Sequence, residues 1–417
     1  MTKETDGSLP QFWDVVIAGG SLSGLLYGVA LKRQGRSVCI LEQAKSARTN
    51  TAAGIGIGYH GQKYLEQYDL VKTPFWYYVD GSQVLDTQGN FRFKAKKKFN
   101  MTSWDALFYR LRANFDGYDS GYCAIPSEPP SAGHVKYLPD KRVTGFDVVG
   151  DIVRVNYQDV QDHSEATLET SLLIGADGIN STIRKILAPR VELNYSGFVA
   201  WRGTVPEMEV SPKAREAFTG LYNCPLPDRA GYVVAYAIPG KKGALEIGSR
   251  ELNLVWYTEE SKDILVDSDG YKHRTTLPKG KMPAHVWTEQ LKKAGKMFQP
   301  YREVCEKIEQ PFISTVNDCM APRISWHGGK VVLAGEASLL MRPNAGSSFE
   351  TASFALLEFI NGDKHWESSV RYNNHKNQAM AKMFGEYSLY GLWKLSIWWT
   401  LFKFIGLKRA VLQNLIA

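Results

Sequence analysis

The run Gly19-Gly20-Ser21-Leu22-Ser23-Gly24, with Glu42 beyond it, has the residue types and spacing that hold a dinucleotide. In such a turn the first glycine makes the bend and the third position lets backbone approach a pyrophosphate. The last glycine lets a helix pack closely on a strand. The phosphates then sit at the positive end of the helix dipole. Glu42 lies 18 positions after Gly24, close to the roughly 20-residue spacing at which a carboxylate reaches ribose hydroxyls. Ser21 stands where a glycine is usual. Two further stretches carry related chemistry. Ser171 to Arg184 holds Asp177, Gly178 and a helix cap, Asn180 or Ser181. Lys330 to Ala337, then Met341 to Gly346, bring Gly335 and Glu336 to a glycine-ended loop before a helix starting near Ser348. A carboxylate there, ahead of a helix N-terminus, suits a ribityl and phosphate site.

The elements that must position these residues follow from pattern. Asp14 to Ala18 is a β-branched apolar run suited to a strand buried on both faces of a parallel sheet. Leu25 to Arg33 has helical apolar spacing, and Ser37 to Leu41 reads as a second strand. A glycine turn alone would fit any α/β protein; strand, turn, helix and acid in register favour cofactor binding. Residues 196–260 hold alternating runs such as Gly231 to Ile238, as strands with one buried face do. Met282 to Phe312 reads as helix.

At 417 residues the chain is long enough for roughly two domains, and 44% hydrophobic content with 22% charged residues describes a folded globular protein. The net charge of +7 is concentrated most at Lys94, Lys96, Lys97 and Lys98. That run reads as a solvated loop or strand edge, because a nucleic-acid binder would carry more charge interleaved with aromatics. Five scattered cysteines, Cys39, Cys123, Cys224, Cys305 and Cys319, form neither a disulfide framework nor a zinc-ligand pair, so no metal is expected. They favour a reducing, cytoplasmic compartment, and the polar N-terminus lacks the apolar stretch of a signal peptide. Tyr390 to Ile405 is aromatic-rich but interrupted by Lys394 and Lys403; packing on its own domain is the plain reading, with a dimer contact or membrane-surface helix as alternatives. Either a monomer or a homodimer is compatible with the sequence.

The three motifs together resemble the flavoprotein aromatic hydroxylases, and more closely the 2,6-dihydroxypyridine 3-monooxygenase-like group, which shares the serine in the glycine turn. Trp201 to Glu207, Asn253 to Tyr257, Asp269-Gly270 with Leu277 to Gly280, and Arg342-Pro343 are also similar. The resemblance implies an α/β fold: a Rossmann-like FAD-binding domain (12–195 and 313–385), an inserted β-sheet substrate domain (196–312), and a C-terminal helical tail (386–417). It implies FAD contacts from Gly19, Gly20, Ser21, Ser23, Gly24, Glu42 and Gln43, and from Asp177 and Gly178 beside Ser181 and Arg184. It further implies contacts from Ala53, Gly54, Ile55 and Gly56 along the isoalloxazine, from Arg112, and from Gly335, Glu336, Pro343, Ala345, Gly346 and Ser347. Glu336 replaces the usual aspartate, and its extra methylene shifts the carboxylate by about 1.5 Å.

The reaction implied is reduction of FAD by NADPH or NADH, addition of O2 to give a flavin hydroperoxide, and oxygen transfer to an electron-rich aromatic ring. Epoxidation or Baeyer–Villiger insertion on a non-aromatic substrate is the alternative, since flavin motifs do not read substrate. A base near the ring would sharpen a phenol as nucleophile; His60, Tyr195, Tyr232 and Tyr236 are candidates, each of which could equally be a hydrogen-bonded core residue. Phe198, Trp201, Trp256 and Pro343 could line a ring pocket or simply be core. Arg202 either meets an acidic substrate or pairs with Glu207.

Overall fold

The structure, a computed structural model, describes residues 10–46, 53–218, 220–226 and 231–390. The chain opens with β1 (Phe12–Ala18), α1 (Leu22–Arg33), β2 (Val38–Leu41), β3 (Gly54–Ile57), α2 (Tyr59–Tyr68), β4 (Tyr77–Leu85), β5 (Phe91–Ser103) and α3 (Trp104–Asp116). There follow β6 (Val135–Leu138), β7 (Lys141–Val149), β8 (Ile152–Asp159), β9 (Glu165–Gly175) and α4 (Thr182–Leu187). The middle holds β10 (Asn194–Pro206), α5 (Pro212–Ala217), β11 (Leu221–Pro225), β12 (Tyr232–Ile238), β13 (Glu251–Glu259), β14 (Thr276–Leu277), α6 (Ala284–Ala294) and α7 (Gln299–Lys307). Last come β15 (Phe312–Met320), β16 (Ser325–Trp326), β17 (Val331–Leu333), β18 (Leu339–Leu340), α8 (Ser348–Asn361) and α9 (Trp366–Tyr390).

The first sheet runs β16-β17-β9-β1-β2-β6. Its strands from β17 to β6 are mutually parallel, and the β7–β8 hairpin continues it antiparallel from β9. Val15, Val16, Ile17 and Ala18 are all fully buried, as an apolar run covered on both faces requires. Val15 and Ile17 face α1, α3 and α8, while Val16 and Ala18 face the β7–β8 side.

The second sheet runs β14-β15-β10-β13-β12-β11-β4-β5-β3. Three strands from residues 54–103, β3, β4 and β5, belong to it and not to the first sheet. The free edge of β11 is completed by parallel pairing with β4, from Leu221↔Ser82 to Asn223↔Val84. At the other side β15 carries the sheet on to Met320. The lysine run lies in β5, beyond the residues paired with β3. One face of this sheet packs on α6 and α7; the other carries Phe198, Ala200, Tyr232, Val255 and Tyr257. The helical expectation for 282–312 resolves into α6 and α7.

Among the described residues no helix is long and apolar enough to cross a membrane, no cluster of side chains could hold a metal, and all five cysteines are free. The expected tail is α9 up to Tyr390 and otherwise lies outside the described residues.

Candidate functional site

The β1–α1 turn is built for close approach. Gly19 has a left-handed φ of 99°, and a Cβ on Gly24 would lie 1.9 Å from the Gly19 carbonyl oxygen. The Tyr137 hydroxyl donates to the Gly20 carbonyl at 3.0 Å, and its ring fills the space a Gly20 side chain would need. Glu42 accepts the Gly20 N–H at 2.6 Å and the Ala44 N–H at 2.8 Å, bracing the turn from below. Helix α1 has neither a side-chain cap nor an acid in its first turn. Its leading amides and dipole are therefore suited to an external anion.

The second motif supports the first. The Asp177 carboxylate accepts the Ser181 hydroxyl and the N–H groups of Thr182, at 2.6 Å, and Ile183, at 3.2 Å. Burial pushes its carboxyl up, and these hydrogen bonds oppose the rise. Ser181 caps α4 by accepting the Arg184 N–H at 2.9 Å. Buried Arg184 donates to the carbonyls of Ile179 at 2.5 Å, Glu336 at 3.1 Å and Ala337 at 3.2 Å, which bolts the second motif to the third. Ser23 occupies the place a Gly335 side chain would take, so the three turns interlock.

Two adjoining cavities follow these turns. The smaller, about 220 Å³, is bordered by Gly19, Glu42, Gln43 and Asp177. The larger, about 350 Å³, runs past Ser23, Gly335 and Glu336 to Ala53, Gly54 and Ile55. Ser21, Ala176 and Gly178 border both. The larger volume lies within the range, roughly 300–1,000 Å³, typical of small-molecule sites, and the smaller adds to it. Pro343, Gly346 and Ser347 close the larger cavity, with the N-terminus of α8 behind them; the Ala345 side chain lies outside the described residues. Glu336 has solvent-accessible surface because it faces this cavity, yet the surrounding protein desolvates it. Burial pushes its carboxyl up, against the pull of Arg184 and Arg202.

Other expected residues sit elsewhere. Trp201 and Trp256 are cross-strand partners on the α6–α7 face, where Trp201 donates to Thr258 at 2.8 Å and tilts against Trp287 at 6.0 Å. They are core, because strand alternation sends Arg202 and Val255 to the cavity side instead. Phe198 is on the cavity-side face but fully buried, beneath Arg342. His60 borders neither cavity; its Nδ1 lies 2.6 Å from Glu350, which also accepts the N–H groups of His60 and Gly61 and so caps α2. Tyr195 donates to the Glu260 carbonyl at 2.6 Å. Arg112 is one layer back, paired with Asp116 and stacked 3.7 Å over the Tyr137 ring.

Tyr236 packs its ring where a Gly54 side chain would be. Burial raises its phenol, opposed by Arg202 and the Gly54 backbone. Tyr232 is stacked on Tyr257 at 4.6 Å and accepts a hydrogen bond from Asn344. Burial lifts Tyr232 well above the ordinary phenol value and Tyr257 to about 12. Burial thus opposes ionisation of all three tyrosines. Glu207 pairs with Arg250 at 2.5 Å, which leaves Arg202 without that partner. Trp104, on the larger cavity, and Tyr137, against Gly20, are parts of the site that sequence reasoning missed. No local motif marks them, and only their place in the fold brings them there.

The uncapped α1 amides, the glycine turns without room for side chains and the two adjoining cavities fit FAD. A family profile described as FAD binding domain-like matches residues 195–318. The chain is 26% identical over 347 residues to 2,6-dihydroxypyridine 3-monooxygenase of Paenarthrobacter nicotinovorans, covering 80% of this chain and 78% of that one. The solved structure of 2,6-dihydroxypyridine-3-hydroxylase from Arthrobacter nicotinovorans aligns with a TM-score of 0.76 at 22% identity, covering 92% and 94% of the two chains. Chloroplastic zeaxanthin epoxidase of Nicotiana plumbaginifolia is 21% identical over 364 residues, 80% of this chain but 45% of that protein. In sequence the chain is similar to FAD-dependent monooxygenases, and it shares their fold.

Proposed function

We propose that the protein uses NAD(P)H and O2 to hydroxylate an electron-rich aromatic or heteroaromatic ring that carries an ionisable hydroxyl. The observation that carries this reading is Arg202. Arg202 borders the larger cavity, its Nε is buried without a hydrogen-bond partner, and no carboxylate among the described residues lies within ion-pair distance of it, Glu336 acting on it only from farther off. An unpaired cation of this kind favours an anionic ligand. A ring oxyanion is such a ligand, and its charge enriches the ring carbons that must accept oxygen.

Bound FAD supplies the oxygen activation. The chain's own work is positioning. Gly54, backed by Tyr236, offers backbone for close approach on one side, and Pro343 to Gly346 border the other. Arg202 would orient the oxyanion, and the buried tyrosines behind it keep the wall dry. The dihydroxypyridine-hydroxylating relative supports a hydroxylated heteroaromatic substrate, and the five free cysteines suit a reducing compartment. Epoxidation is the second reading, favoured by the match to zeaxanthin epoxidase.

The test is anaerobic reduction of the FAD-loaded protein by NADPH and by NADH, with a panel of phenols, hydroxypyridines and olefins. Acceleration by one ring ligand, and its recovery with one added oxygen under air, is the expected result. Reduction indifferent to every aromatic, with an olefin oxidised instead, would replace hydroxylation by epoxidation.

A further inference from the structure

Behind the loop that closes the larger cavity lies a chain of four enclosed charges. Arg342 borders the cavity itself. Its Nε is 2.8 Å from Asp318 on β15, and its Nη1 is 3.1 Å from Glu386 on α9. The other Asp318 oxygen is 3.1 Å from Lys382, also on α9. The Asp318 side chain is 4% exposed and that of Arg342 7%. Charges alternate along Glu386–Arg342–Asp318–Lys382 and sum to zero.

The same helix touches the loop between these two residues. A Cβ on Gly385 would come within 3.2 Å of Asn344, whose amide reaches across to the Tyr232 hydroxyl. Lys382, Gly385 and Glu386 stand at i, i+3 and i+4, which places them on one face of α9. One stripe of the helix is thus given over to the back of the Met341–Ser347 loop. The loop has little support of its own: a short turn at Pro343–Ala345 ends at Gly346, which has a left-handed φ of 55°.

We propose that Lys382 and Glu386 are positioning residues. Acting through Arg342 and Asp318, they fix the cavity loop and balance the charge that a flavin bound there experiences. This rests on the FAD-dependent reading of the cavity. In an enclosed, weakly screening site a single unbalanced charge acts over a longer range than in water. Neutralising Glu386 leaves one excess positive charge beside the cavity and favours an added electron. Neutralising Lys382 leaves one excess negative charge and disfavours it.

Two measurements test the proposal on Glu386→Gln, Lys382→Gln and, as a steric variant without charge change, Gly385→Ala. The first is amide hydrogen exchange at residues 341–347 in protein without FAD, where all three variants are expected to exchange faster than the unsubstituted protein. The second is the reduction potential of bound FAD without substrate. It should move positive in Glu386→Gln and negative in Lys382→Gln. Unchanged loop exchange overturns the clamp. Potentials that stay put or move in the same direction, alongside a lowered melting temperature, reduce the network to plain structural support. An unsubstituted protein that takes up no FAD defeats the cofactor reading separately, and loop exchange alone then judges the clamp.

Discussion

Gly24→Ala tests the fit between turn and helix most directly. The new methyl would stand 1.9 Å from the Gly19 carbonyl oxygen, against 3.4 Å for ordinary contact. Both groups are tied to backbone, so no rotamer relieves the clash. The start of α1 and the end of β1 must part by about 1.5 Å, judged from those two contact distances. Forcing a methyl into a closed site costs about 1–3 kcal/mol of stability. The parting also draws the leading amides of α1 away from a bound phosphate. Losing one hydrogen bond to a charged group costs about 1.5–3 kcal/mol, or about 10- to 150-fold in Kd. The assay is titration of FAD into the cofactor-free protein, followed by flavin fluorescence, with thermal unfolding alongside. Gly145→Ala is the control, since nothing lies within 4 Å of its added Cβ. FAD affinity within twofold of the parent in Gly24→Ala, with an unchanged melting temperature, would refute the account of the turn.

Arg202→Gln should weaken binding of an ionised ring ligand about tenfold or more, by loss of a charge-assisted bond, while a neutral isostere binds as before; equal loss for both ligands would remove Arg202 from the anion-binding role. Trp201→Ala should cost about 3–5 kcal/mol of stability and leave ligand affinity alone, which urea unfolding and ligand titration separate; lost affinity at preserved stability would return Trp201 to the pocket wall. Burial alone would raise the Glu350 carboxyl, but hydrogen bonds from the His60 ring and from the His60 and Gly61 N–H groups hold it below its ordinary 4.5. Because the folded value is depressed, this stabilisation is complete above the unfolded value and is lost as pH falls through the folded one. Stability measured across the acid range should therefore fall more steeply in the parent than in Glu350→Gln, and parallel profiles would contradict the helix-cap role.

The cofactor half was largely legible in the sequence because its signals are local. A buried parallel strand reads as an unbroken apolar run, and a phosphate turn reads as glycines at fixed offsets; Val15 to Gly24 shows both. Ser181 as the cap of α4 is local in the same sense. The substrate side was less legible. Alternation identifies β10, β12 and β13 as strands with two unlike faces, but it does not say which face meets the cavity. Trp201 and Arg202 are neighbours with opposite fates for that reason alone. His60, beside the glycine strand in sequence, is drawn off by Glu350 from 290 positions away. Nothing within a short window records that partner.

The pairing of β4 with β11 also governs how the protein can be rebuilt. The substrate-side sheet is a composite of two stretches of chain, joined edge to edge by strands about 140 residues apart, as the Asn223–Ser82 side-chain bond between them also shows. A graft of residues 196–312 into a related scaffold would leave behind β4, the strand that covers the edge of β11. It would also leave β3, which presents Gly54 to the cavity. Transplanting substrate preference between such proteins therefore requires moving residues 54–103 together with the central segment, as one unit cut at four points.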